Sequence, residues 1–144
     1  MLGITDAEHA EDTPDASNFL IIPVACPVPN HASGAPKLSG GLRIRLAPGS
    51  RVQALHGVDA IEEEYFCNYE VNPAFRERIE RSDLRITGVG NDDEIRVVEL
   101  PSHRFYLATL FQPQRSSRPE APNPVVMGFV SAARAFRSER SLVR

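Results

Sequence analysis

The sequence predicts an α/β fold forming one flank of a larger sheet, and three patterns predict it. Residues 42–46 alternate apolar and basic side chains, Gly90-Asn91-Asp92-Asp93 separates two apolar runs, and the segment from Pro124 repeats apolar residues at helical spacing. Alternation at period 2 marks a strand with one buried face, a Gly/Asn/Asp cluster marks a hairpin turn, and a 3.6-residue recurrence marks an amphipathic helix. With 144 residues, 42% of them apolar, the chain is one domain's worth and has enough apolar material for a core.

In chain order, residues 19–24 form a short β-prone run, which Pro23 restricts to an edge or to the start of a loop. Residues 27–39 are rich in Pro, Gly and Ser and read as a connection. The alternating strand at 42–46 ends at the Pro48-Gly49 turn, and residues 62–69 are the next expected strand. Asn72 caps a helix expected over 73–82, with Pro73 at its first position and Phe75 and Ile79 as its apolar stripe. The runs at 84–89 and 94–100 flank the hairpin turn. Residues 105–111 form the last strand, running into a Gln112-Pro113-Gln114 turn, and residues 124–136 a closing helix with Val126, Phe129, Val130 and Ala133 as its stripe. Such a set of strands leaves a sheet edge and an apolar face uncovered, which invites a homo-oligomer or a covering partner.

Composition narrows the function classes. A net charge of -3 with interspersed acids and bases gives no nucleic-acid footprint. No stretch nears the roughly 20 apolar residues of a membrane span, and the acidic start does not resemble a signal peptide, so a cytoplasmic location is expected. Cys26 and Cys67 show no CxxC pattern and read as free thiols in packing roles. His9, His31 and His56 make no ligand spacing, and a metal site from His56, Glu63 and Cys67 requires the fold to bring them together, so neither metal nor cofactor is expected. Glu62-Glu63-Glu64 reads as a solvated charge run, and Arg134, Arg137, Arg140 and Arg144 as a solvated helix face.

Five ordered segments carry a family resemblance: Tyr69-Glu70-Val71-Asn72-Pro73, Leu84-Arg85-Ile86-Thr87-Gly88, the run from Glu99 through His103 to Tyr106, Ser117-Arg118-Pro119, and Gly128-Phe129-Val130-Ser131-Ala132-Ala133. Together with Phe111-Gln112-Pro113-Gln114 they resemble the C-terminal amidotransferase domain of CTP synthases, a class I (triad-type) glutamine amidotransferase, and the stand-alone proteins related to it. The match covers the C-terminal half of such a domain. The resemblance implies a flavodoxin-like fold, mostly parallel with antiparallel hairpins, of which this chain lacks the N-terminal strands and the nucleophile elbow. It also divides the single partial domain, residues 1–144, into a loop-rich lead-in (1–40), a family-matching part (41–137) and a tail (138–144). A truncated reading of a longer protein is the expectation that follows.

In that family the turn reads Phe-His-Pro-Glu, where the histidine is the general base and the glutamate orients it. Here Gln112 and Gln114 occupy those two positions, and no Gly-x-Cys-x-Gly elbow is present. A glutamine amide cannot accept a proton from a thiol near neutral pH, whereas an imidazole can. Gln112 and Gln114 are therefore vestigial catalytic positions that either satisfy backbone groups or hydrogen-bond a small polar ligand. Asn68 and Tyr69 match the segment that holds the substrate glutamine, with Asn68 replacing an arginine, and are the weaker candidates for ligand contact. Cys67 lies in a strand run without an elbow and is not a strong nucleophile candidate, although an altered enzyme using Cys67 or Cys26 without a histidine base is a third reading, and His103 is expected to bond locally. The resemblance implies a family role in glutamine-dependent amination of UTP to CTP, with this chain inactive in glutamine hydrolysis as it stands. The alternative is a non-catalytic module that binds glutamine or a related small molecule.

Overall fold

A computed structural model describes residues 2–24, 39–66 and 68–142. Cys26, His31, Cys67, Arg144 and most of the expected 27–39 connection lie outside the described residues. In chain order the elements are β1 (Glu8–His9), β2 (Phe19–Pro23), β3 (Ser39–Leu46), α1 (Arg51–His56), β4 (Ala60–Phe66), β5 (Tyr69–Val71), a 3-10 turn (Pro73–Phe75), α2 (Arg76–Glu80), β6 (Arg85–Val89), β7 (Ile95–Glu99), β8 (Leu107–Thr109), α3 (Pro113–Ser116) and α4 (Pro124–Leu142).

The strands form two sheets, β1-β2-β5 and β4-β3-β6-β7-β8. Among the described residues β1 runs parallel to β2 and every other ladder is antiparallel. The expected 62–69 strand is two strands, because the chain leaves the five-stranded sheet after Phe66 and joins the three-stranded one at Tyr69. Pro23 ends β2, a central strand, beyond the point where β1 stops pairing, so its missing N–H breaks no ladder.

The alternation in β3 holds: Ile44 and Leu46 are buried and Arg43 and Arg45 exposed. Ile44 pairs with Ile61 of β4 on the inner face, and Arg43 pairs with Glu62 on the outer one, where opposite charges favour the register. On one side of the five-stranded sheet Ile44, Leu46, Val52, Ile61, Val97, Phe111 and Val125 make the main core. The second cluster has Ile79, Leu84 and Ile95 at its centre, with Leu2, Val71, Ile86, Val98 and Tyr106 packed on it.

Two motif glycines mark close approaches. A Cβ on Gly88 of β6 would lie 2.6 Å from Val97 Cγ2, and one on Gly128 of α4 would lie 2.7 Å from Leu55 Cδ2 of α1. Only a hydrogen at these positions lets β6 meet β7 and α4 meet α1 at the observed spacing.

Helix α1 was not among the expected elements, although its caps are legible. The Ser50 side chain accepts from Gln53 N, and Gly57 at φ 71° closes the helix. The expected helix over 73–82 is instead a 3-10 turn followed by α2, which stops at Glu80; Ser82 Oγ takes the Ile79 carbonyl at 2.7 Å and ends the helical pattern. Asn72 caps as expected, accepting from Ala74 N at 3.0 Å while its amide donates to Phe19 O at 2.8 Å.

Strand β8 is shorter than the expected 105–111. Thr109 Oγ1 donates to the Phe111 carbonyl at 2.9 Å and turns the chain away, though Leu110 N still reaches Arg96 O at 2.9 Å. Helix α4 extends through Leu142, beyond the expected end at residue 136. Its expected stripe is also displaced. Phe129 is 59% and Val130 41% exposed, while Val125 is buried, because the Gly128 contact with Leu55 turns the Val125–Gly128 side inward.

Candidate functional site

The Gln-Pro-Gln segment begins where β8 ends. Phe111, 2% exposed, anchors it in the main core, and Gln112 follows in extended geometry as the N-cap of α3, making no side-chain cap bond. Pro113 occupies the first helical position, where a missing N–H costs nothing. The expected turn is thus the first turn of a short helix. Its frame is held by backbone bonds: Gln112 N donates to Glu64 O at 3.2 Å and Arg115 N to Gln112 O at 2.8 Å. Gln112 is half-buried and Gln114 exposed.

The expected solvated run Glu62-Glu63-Glu64 is corrected at its centre. Glu63 is 5% exposed, because β4 alternates and sets Glu63 on the same face as the core residue Ile61. Its carboxylate accepts from Ser116 Oγ at 2.6 Å and from Asn123 Nδ2 at 2.7 Å. Asn123 Nδ2 also donates to Ser116 Oγ at 2.9 Å, and Asn123 Oδ1 accepts from Val125 N at 2.9 Å, capping α4. One buried carboxylate therefore ties β4 to α3 and to the α4 cap, with both oxygens satisfied as a buried charge requires. Glu64 points outward and meets Arg115 Nε at 3.4 Å, while the Arg115 guanidinium lies 5.2 Å from the Phe66 ring centre.

A second buried carboxylate, Glu99 at 4% exposure, accepts from Arg51 N at 3.1 Å and Val52 N at 2.8 Å. It sits at the N-terminus of α1, where free N–H groups attract negative charge. Sequence reading missed the roles of Glu63, Ser116, Asn123 and Glu99. The Ile61/Glu63 alternation signalled the first, and Asn123-Pro124, a cap residue before a first-turn proline, signalled the α4 start.

His56, on α1, has a buried Nε2 with no hydrogen-bond partner among the described residues. Burial holds its pKa below the ordinary histidine value, partly offset by the nearby negative charge of Glu63. The fold thus brings His56 and Glu63 into one neighbourhood, with Cys67 outside the described residues. Among the described residues no group of three His, Cys, Asp or Glu side chains is arranged to hold a metal. His103 bonds locally, as expected, its Nδ1 accepting from Phe105 N at 3.2 Å.

Asn68 and Tyr69 stand at the start of β5, in the other sheet from β8. The Asn68 carbonyl accepts from Val24 N at 2.7 Å, and the Tyr69 ring lies 4.9 Å from that of His9. Gln112 and Asn68 are connected through β4, whose Glu64 carbonyl holds Gln112. None of Gln112, Gln114, Asn68 and Tyr69 lines the large cavity of about 590 Å³ on the opposite side of β7 and β8. Among the described residues no helix is long and apolar enough to cross a membrane.

No protein-family profile matches the chain. It is 34% identical over 138 residues to a CTP synthase of Chlamydia trachomatis serovar L2, a match covering 93% of this chain and 24% of that protein. It is 35% identical over 143 residues to CTP synthase of Nostoc punctiforme, covering 93% of this chain and 25% of that one. The chain thus spans about a quarter of the length of the curated relatives it matches. Among solved structures, the glutaminase domain of Trypanosoma brucei CTPS with bound acivicin aligns with a TM-score of 0.81 and 25% identity, over 94% of this chain and 53% of that one. The motif segments, the flavodoxin-like fold and these alignments agree: over nearly its whole length the chain is similar to part of the glutaminase domain of CTP synthases.

Proposed function

We propose that this chain is a CTP synthase-type glutamine amidotransferase module that does not hydrolyse glutamine as it stands. The observation that carries the reading is Gln112: it stands at the N-cap of α3, on the frame of the family's His-Pro-Glu turn, with an amide where proton transfer needs a titratable base. Gln114 cannot substitute, since it is exposed and equally non-titratable. Loss of a general base of this kind lowers turnover by a factor on the order of 10³ to 10⁶. These 144 residues also contain no Gly-x-Cys-x-Gly elbow to supply a thiolate.

In intact relatives the module's role is to release ammonia from glutamine for the amination of UTP to CTP, in pyrimidine nucleotide biosynthesis. On this reading the chain is a pseudoenzyme part within such an assembly, expected in the cytoplasm. A second reading, retention of a glutamine-type ligand without turnover, is favoured by one observation. The backbone bonds from Gln112 to Glu64 and Arg115 hold the turn's shape although its catalytic side chains differ. Two assays test the pair of readings: ammonia release from L-glutamine, expected at the uncatalysed rate, and L-glutamine binding by calorimetry. Ammonia release above background overturns the first reading, and absence of binding at millimolar glutamine overturns the second.

A further inference from the structure

His56 closes α1 with a buried Nε2 that has no hydrogen-bond partner among the described residues. A neutral imidazole tolerates one unmet nitrogen at modest cost. A protonated one carries a donor on each nitrogen, and a buried cationic N–H without an acceptor costs far more. The negative charge that acts on the ring is Glu63 of β4. The other charged groups around α1 are engaged or turned away. Glu99 of β7 is bonded to Arg51 N and Val52 N at the opposite end of the helix, Asp59 accepts from Gln53 Nε2 at 2.7 Å, and the Arg51 guanidinium donates to the His103 and Arg104 carbonyls. Arg43 and Arg45 of β3 are exposed on the outer face, Arg115 of α3 meets Glu64, and α4 brings Gly128 against Leu55, with its charged residues at exposed positions from Arg134 onward.

The carboxylate facing His56 has a second arrangement available. Glu63 accepts from Ser116 Oγ at 2.6 Å and from Asn123 Nδ2 at 2.7 Å. Each donor has another acceptor within reach, Pro113 O at 3.3 Å for Ser116 and Ser116 Oγ at 2.9 Å for Asn123. Glu63 can therefore leave the pair without stranding either donor, and the network has two states.

We propose that His56 and Glu63 form a proton-operated latch on the Gln-Pro-Gln turn. With His56 neutral, Glu63 ties α3 and the α4 cap to β4. When His56 takes up a proton from solvent, which its half-buried position admits, the imidazolium draws the Glu63 carboxylate to its Nε2–H. Ser116 then turns to Pro113 O, and α3, with Gln112 at its head, is held by backbone bonds alone. Acid loosens the turn while the sheet stays folded.

The test follows the ring resonances of His56 through its titration in this chain. Amide hydrogen exchange, corrected for its chemical rate, reads the latch at Arg115 and Ser117, which bond within the α3 turn, against Leu46 and Ala47 in the sheet. As His56 protonates, exchange at Arg115 and Ser117 is expected to accelerate about tenfold or more, with Leu46 and Ala47 unchanged. The side-chain amide resonances of Asn123 are expected to shift with the midpoint of the His56 ring, and His56→Gln to abolish the acceleration. The same acceleration in His56→Gln overturns the proposal by assigning it to the carboxylates. Acceleration shared by Leu46 and Ala47, absence of acceleration, or unfolding before His56 is protonated also overturns it. Should His56→Gln fail to fold, the wild-type chain decides alone: an Asn123 amide that stays still, or shifts with a different midpoint, overturns the latch. None of these readouts depends on glutamine binding or turnover.

Discussion

Ser116 donates its hydroxyl proton to Glu63 across 2.6 Å, joining residues 53 positions apart and holding the Gln-Pro-Gln helix against strand β4. Asn123 reaches the other carboxylate oxygen at 2.7 Å, so the charge that looks like surface decoration in the sequence is a buried tie between three elements.

Removing that tie has a defined cost. Glu63→Ala leaves the Asn123 amide with Ser116 Oγ as its one remaining acceptor and empties a buried site, and the expected loss is about 3 kcal/mol of unfolding free energy. Glu63→Gln is expected to lose only about 1 kcal/mol, because the Ser116 hydroxyl can accept from the new amide while donating to Pro113 O, now 3.3 Å away. Urea denaturation of the three proteins measures both values; equal losses would show that hydrogen bonding to Glu63 is not what matters.

Glu99 performs a parallel task at α1. Glu99→Ala leaves the buried Val52 N–H and the part-buried Arg51 N–H without their acceptor, and about 2 kcal/mol is expected to be lost, with exchange of those two amides accelerated. Denaturation and hydrogen exchange check the magnitude and its location together.

These two carboxylates show what the sequence discloses and what it conceals. Short-range patterns were legible: alternation in β3, the Asn72 cap, and the Gly/Asn/Asp turn between β6 and β7. Long-range pairing was not. Nothing local to Glu62-Glu63-Glu64 says that Ser116 and Asn123 will meet its middle member, and only the alternation with Ile61 hints at the direction. The strand expected over 62–69 divides because sheet membership is decided by partners β2 and β3, which lie far away in the chain. The α4 stripe was displaced by a contact with Leu55 that helical periodicity cannot see. At the site, residue identity at 112 and 114 was legible directly, while the geometry that holds Gln112 came from β4.

Gly88 tests the packing account. A methyl group there would lie 2.6 Å from Val97 Cγ2 and 3.0 Å from Ile44 Cγ2, two fully buried side chains. Gly88→Ala is expected to destabilise by about 2 kcal/mol through overpacking, despite the better strand propensity of most residues over glycine. A thermal melt unchanged from wild type would place slack in the core where none is described.

The pH dependence of stability is expected to carry a histidine signature. Burial depresses the folded-state pKa of His56, so below about pH 6.5, the ordinary histidine value, the unfolded chain binds a proton that the folded chain takes up only at lower pH. His56 therefore leaves stability untouched above that range and lowers it as pH falls through it. His56→Gln is expected to flatten the fall in urea midpoint between pH 7 and pH 5 relative to wild type. An identical fall in both proteins would assign it to the carboxylates alone. The exposed Arg104–Glu139 pair, which also lowers the Glu139 pKa, is screened by solvent and contributes little.

The most direct measurement of the central claim is ammonia release from L-glutamine by the Gln112→His, Gln114→Glu double variant beside the wild-type chain. Restoring the turn's two side chains supplies a base and its orienting acid but no elbow thiolate, so both proteins are expected to stay at the uncatalysed rate. Release by the double variant well above that rate would contradict the account, because it would mean that a nucleophile lies within these 144 residues.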